Sequence, residues 1–118
     1  MNEETKRSVI MELQEECYRT AKDNGYYYGL VSMTEELKGI AGEVIEAQDA
    51  ATIYRYCQEN EAPNTLLEIA EELSDIVIRC LSFAGHHKIN LACALEKKME
   101  KNNERANANI RQVPDAKL

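Results

Sequence analysis

Two short segments carry acids at a spacing that chemistry can use. Glu43-Val44-Ile45-Glu46 and Glu72-Leu73-Ser74-Asp75 share one layout: acid, apolar residue, any residue, acid. At about 100° per helical residue, with Val44 and Leu73 as face centres, the first acid of each pair lies roughly 100° from the centre and the second roughly 160° to the same side. The stretches around them, Ala41-Gly42-Glu43-Val44 and Ala70-Glu71-Glu72-Leu73, read as a short internal repeat. Two such helices packed antiparallel bring four carboxylates together.

Carboxylates three apart on a helix repel by a few tenths of a kcal/mol, and four at a partly buried site repel far more. A divalent cation resolves that conflict. Hard oxygen ligands with water positions left over suit Mg²⁺, with Mn²⁺ as a substitute, and substrate phosphates can fill the open positions. The competing reading is that each acid pair lies on a solvated helix face, the usual fate of an E-x-x-E. Gly39 and Ala50 share the flank of Glu43 and Glu46, which predicts space for a ligand there.

Further along, Lys98, Asn102 and Arg105 fall at i, i+4 and i+7 and can present two cations and an amide to phosphate oxygens. Glu96, Glu100 and Glu104 alternate with the basic residues, so a salt-bridged solvated face fits the same spacing. Tyr26 and Tyr27 can stack on a base or cap one end of a helical bundle. Arg79 and Glu68 share the flank of Glu72 and Asp75, Arg79 as an ion-pair partner or phosphate contact. His86-His87 invites a metal reading, but adjacent helical positions point about 100° apart. Their place beside Gly85 predicts a helix C-terminal cap instead.

Helices must position these groups. The first is expected from about Glu3 to Asp23, with Val9, Leu13, Cys17 and Ala21 inward, and stops at Asn24-Gly25. Ser32 to Glu35 has the capping-box pattern and opens a second helix to about Gln58, with Leu37, Ile40, Ala41, Val44, Ala47 and Ala51 along one face. Asn60 to Asn64, with Pro63 inside, reads as a loop. Thr65 to Glu68 is a second capping box, opening a third helix to Gly85 on the stripe Leu66, Ile69, Ala70, Leu73, Ile76, Val77, Cys80 and Ala84. Asn90 caps a fourth helix to about Asn107, with Leu91, Ala94, Leu95 and Met99 inward. The expected organisation is a single domain over 1–110 and a C-terminal tail over 111–118.

Composition agrees with that reading. Of 118 residues, 44% are apolar and 30% charged, with Gly 5, Pro 2 and Phe 1. Such a chain favours helix over sheet and supports one domain. The balance of 21 acids against 14 basic residues, a formal charge of −7, argues against a nucleic-acid polymer as partner. No stretch reaches the roughly 18 apolar residues of a membrane span, and the polar N-terminus lacks a signal-peptide core, so the expected location is cytoplasmic without membrane association. Cys17, Cys57, Cys80 and Cys93 show no C-x-x-C spacing and read as reduced thiols.

The ordered set Glu43/Glu46, Glu72/Asp75 and Lys98/Asn102/Arg105 resembles the MazG-like all-α nucleoside triphosphate pyrophosphohydrolases, whose mark is E-x-x-E, E-x-x-D and K-x-x-x-N-x-x-R. Gly42-Glu43-Val44 and Glu71-Glu72-Leu73-Ser74-Asp75 look most like the small dCTP-pyrophosphatase type. Asn24-Gly25-Tyr26-Tyr27 is similar to the glycine-plus-aromatics segment before the first motif in many stand-alone members. The likeness runs from about Ala21 to Arg105. It departs where many members carry a double acid and this chain has Gly42 before Glu43, which leaves subgroup and substrate open.

The resemblance implies a four-to-five-helix bundle with antiparallel central helices, assembling as a homodimer or homotetramer. It implies Mg²⁺-dependent hydrolysis of a (deoxy)nucleoside triphosphate to monophosphate and pyrophosphate, a house-cleaning activity on nucleotide pools. Glu43, Glu46, Glu72 and Asp75 would be the metal ligands and catalytic acids, with Glu46 the choice for general base. Lys98, Asn102 and Arg105 would hold the outgoing pyrophosphate, and Tyr26 and Tyr27 the base. Leu67 and Ile78, off the main stripe of the third helix, also point to oligomerisation. Phosphoribosyl-ATP pyrophosphohydrolase activity and a noncatalytic helical interaction module are the alternatives.

Overall fold

The computed structural model describes residues 1–29 and 32–112, with the side chains of 110–112 outside the description; so are 113–118, the greater part of the expected tail. It is all-helical: α1 Glu3–Asp23, α2 Met33–Tyr56, α3 Ala62–His86 and α4 Leu91–Gln112, with no strand among the described residues. None of these helices is long and apolar enough to cross a membrane.

The helix ends follow from local hydrogen bonding. At the end of α1 the Tyr26 amide donates to the Ala21 carbonyl (2.9 Å) and the Gly25 amide to the Lys22 carbonyl (3.0 Å), with Gly25 at φ 82. That is a Schellman ending, and the left-handed residue is the glycine that suits it. Ser32 Oγ accepts from the Glu35 amide (3.2 Å) to start α2. Asn90 Oδ1 accepts from the Cys93 amide (3.1 Å) to start α4. The beginning of α3 departs from expectation. Pro63 sits inside its first turn, where a missing N–H is harmless, so the expected loop is helix from Ala62. Thr65 is then a helical residue whose hydroxyl donates back to the Glu61 carbonyl (3.2 Å), and no second capping box forms there.

The chain divides into two compact units. One comprises Leu13–Ile89, thus the second half of α1 with α2 and α3. Within it α2 and α3 run antiparallel. Glu36 in the first turn of α2 meets His86 and His87 at the end of α3, and Glu43 meets Arg79. The other unit comprises, among the described residues, Met1–Glu12 and 90–112, where Arg7 Nη1 pairs with Glu96 at 2.8 Å.

The inward faces keep part of the expected stripes, with Cys17, Ala21, Ile40, Ala47, Ile69, Ile76, Cys80 and Ala84 covered, but are rotated from their expected centres. On α2 the covered line is Glu36, Ile40, Glu43, Ala47 and Ala50, while Leu37, Ala41, Val44 and Ala51 are exposed. On α3 it is Thr65, Ile69, Glu72, Ile76, Arg79, Phe83 and His86, leaving Leu66, Leu73 (52% exposed) and Val77 outside. On α1 the covered line runs Ile10, Gln14, Cys17, Tyr18 and Ala21, one position from the expected Val9 and Leu13, which are exposed. On α4 Ala92 is buried, whereas Ala94, Leu95 and Met99 are exposed. Periodicity finds the most apolar stripe, but α2 and α3 meet along a stripe that carries acids and an arginine.

Candidate metal centre

Glu43, Glu46 and Glu72 come together: each offers a carboxylate oxygen, and these atoms lie within 4.8 Å of one another. Glu43 and Glu46 share one turn of α2, and Glu72 reaches them from α3. Asp75, one turn further along α3, is exposed and falls outside that trio, although it lines the same cleft as Glu43.

The cluster is short of positive charge and of hydrogen-bond partners. Arg79 Nε donates to Glu43 Oε1 at 2.9 Å, and the Glu43 side chain is only 12% exposed. Glu43 Oε2 and Glu72 Oε2 are buried with no hydrogen-bond partner. Orphaned carboxylate oxygens are costly in a protein interior, and two at one place call for a ligand. Burial pushes the Glu43 carboxyl above its ordinary value; the Arg79 charge opposes this, and Glu46 and Asp75 push it higher. A cation that several oxygens ligate removes both the repulsion and the orphaned lone pairs. The donor set, all hard oxygen, fits Mg²⁺ or Mn²⁺.

The space that Gly39 provides has another use than the expected one. A Cβ there would stand 3.0 Å from Arg79 Nη1, so the missing side chain makes room for the guanidinium. Arg79 also donates to the Tyr26 hydroxyl (3.1 Å) and lies over the Tyr26 ring, 5.5 Å from its centroid. Tyr26 therefore stands at the mouth beside the acids. Tyr27 is packed instead: its hydroxyl bonds Ser82 Oγ, its ring meets Tyr26 edge-on at 4.9 Å, and His86 lies 4.0 Å away. Burial raises its phenol pKa. Both tyrosines, with Glu36, Ile40, Glu43, Asp75 and Arg79, line a cleft of about 460 Å³.

Lys98, Asn102 and Arg105 lie exposed along α4, in the unit formed with Met1–Glu12. The four cysteines are free thiols, with Cys17 and Cys80 pushed up by burial and so poor nucleophiles.

A group that sequence reasoning passed over is Glu36. It is 3% exposed, and its Oε1 meets His86 Nδ1 at 3.0 Å and His87 Nε2 at 2.8 Å. The angular argument against the histidine pair fails because Glu36 Oε1 stands between the two rings and meets a nitrogen of each, while His87, the C-cap, still donates its amide to the Phe83 carbonyl at 3.0 Å. The sequence held one signal: Glu36 precedes Glu43 by seven residues, as Arg79 precedes His86, so both pairs share the interhelical line.

No protein-family model, curated protein or solved structure matches the chain.

Proposed function

We propose that the chain is a metal-dependent nucleoside triphosphate pyrophosphohydrolase of MazG-like type. The observation that carries the reading is the pair of orphaned, buried oxygens of Glu43 and Glu72 inside a trio of converging carboxylates. Glu43, Glu46 and Glu72 would hold the ion, with Asp75 added from the same cleft wall. A divalent ion there supplies charge neutralisation for phosphate oxygens and a more acidic bound water.

The protein's own groups contribute the rest. Arg79 keeps Glu43 oriented and adds a positive charge at the edge of the cleft, and Tyr26 offers a flat, partly exposed ring for a base. Lys98, Asn102 and Arg105 carry the pyrophosphate-holding role by their motif alone. Exposed Leu66, Leu73 and Val77 on one face of α3 support burial against a second copy, in keeping with a four-to-five-helix bundle that completes itself as a homodimer or homotetramer.

The test is a nucleotide panel, phosphoribosyl-ATP included, with Mg²⁺ present or chelated and the products assayed separately. Pyrophosphate plus a nucleoside monophosphate, formed only with the metal, supports the reading. Orthophosphate as the primary product, or no turnover of any member, contradicts it.

A further inference from the structure

We propose that Glu36, His86 and His87 form a second cation site, of transition-metal type, taking a zinc-class divalent ion through Glu36 Oε1, His86 Nδ1 and His87 Nε2. The three ligand atoms lie within 4.8 Å of one another, and both imidazole nitrogens already converge on one oxygen, at 3.0 and 2.8 Å. Metal bonds of about 2.0–2.1 Å in tetrahedral geometry separate neighbouring ligand atoms by about 3.3 Å, so small side-chain shifts admit the ion.

Two imidazoles and a carboxylate are a borderline-soft ligand set, unlike the all-oxygen cluster around Glu43. The rings are held in place by aromatic neighbours. Tyr18 stacks on His86 at 5.9 Å, Tyr27 lies 4.0 Å from the same ring, and Phe83 sits 4.5 Å from His87. Such an apolar shell limits water access and favours retention of a bound ion. The backbone is also committed to this geometry. Lys88, next to His87, takes a left-handed φ of 55, and the Ile89 amide closes the turn on the Ala84 carbonyl at 2.9 Å. The rings close the histidine side, and Glu36 lines the cleft shared with Asp75 and Arg79, the side from which a fourth donor would reach the ion.

Proton balance is simple. Without metal, the ring nitrogen that faces Glu36 is the one that donates, because a carboxylate accepts. With metal, that nitrogen's lone pair binds the ion, and each ring carries its proton on the opposite nitrogen. His86 moves its proton from Nδ1 to Nε2, and His87 from Nε2 to Nδ1. A ring that is neutral beforehand releases no proton, and one that is an imidazolium releases one.

The experiment uses the full chain, stripped of metal and then supplied with excess Mg²⁺ to occupy the acid cluster. Co²⁺ and then Zn²⁺ are titrated in, while nitrogen-15 imidazole spectra report the tautomers. We expect one equivalent of Co²⁺ with the intense visible absorption of a four-coordinate ion, displaced by Zn²⁺, and the tautomer exchange in both rings. Glu36→Gln and His87→Gln should weaken Zn²⁺ binding by at least the about 100-fold that loss of a ligand's supporting hydrogen bond can cost. Glu43→Gln should leave it unchanged. Absence of binding under excess Mg²⁺, unchanged tautomers on zinc addition, or binding lost in Glu43→Gln but kept in Glu36→Gln overturns the site. If a variant does not fold, the wild-type tautomers decide. Because the readout is binding, this site and the proposed nucleotide chemistry can fail separately.

Discussion

Glu43 and Glu36 lie seven residues apart on the same face of α2, yet their surroundings are opposite. Glu36 is buried and paired with two imidazole nitrogens on one oxygen. Glu43 has one guanidinium partner, acidic neighbours in Glu46 and Asp75, and an oxygen with no partner at all. The first arrangement is self-consistent without any ligand and can open to admit a borderline-soft ion. The second carries unrelieved repulsion and unsatisfied oxygens. The difference teaches that burial of an acid is not by itself a sign of a site; what matters is whether the fold supplies its partners.

The largest expected effect separates the two regions by turnover. Glu72→Gln or Glu43→Gln should lower turnover of a nucleoside triphosphate by roughly 10²–10³-fold, the scale on which one charge-stabilising group acts, with the helical circular dichroism retained. Glu36→Gln should lower it far less. Equal losses at Glu36 and Glu43 would merge the two regions into one functional unit.

A second distinction lies in pH dependence. The folded-state pKa of Glu43 is raised above 4.5, so between that value and the raised one the folded protein binds more protons than the unfolded chain. Stability in the presence of chelator should therefore fall as pH rises through that window. Glu43→Gln should flatten the fall, as denaturant midpoints at a series of pH values would show. An unaltered slope would mean that Glu43 is not the strained acid.

The smallest effect belongs to the turn that positions the histidines. Lys88→Gly relieves a left-handed residue with a side chain, and a gain of roughly 0.5–1 kcal/mol is expected in chemical denaturation. Turnover should not change. A loss of stability would show that Lys88 has a role beyond its backbone.

Much of this was legible from local chemistry. Gly25, Ser32 and Asn90 mark helix ends because their hydrogen bonds reach only a few residues along the chain. The E-x-x-E does meet Glu72, but the offsets that predicted four converging acids were taken from Val44 and Leu73, which are exposed, and Asp75 lies outside the trio. The inward faces were legible in part: Ile40, Ala47, Ile69, Ile76, Cys80 and Ala84 are covered as expected. Leu66, Leu73 and Val77, however, outweigh Glu72 and Arg79 in any hydrophobic pattern, yet the second set lies on the covered side. Pro63 was misleading, since a proline in a first turn and a proline in a loop look alike in sequence. The Glu36–His86–His87 contact joins residues 50 and 51 apart in sequence, a separation that no local spacing encodes.

The most direct test of the central claim is thermal unfolding of the metal-free protein against increasing Mg²⁺. If Glu43, Glu46 and Glu72 hold the ion, wild-type stability should rise by about 2.7 kcal/mol at an ion concentration of about 100 times the Kd. Glu36→Gln should keep that rise and Glu72→Gln should lose it. A wild-type melting temperature indifferent to Mg²⁺, or a rise that survives in Glu72→Gln, would contradict the account.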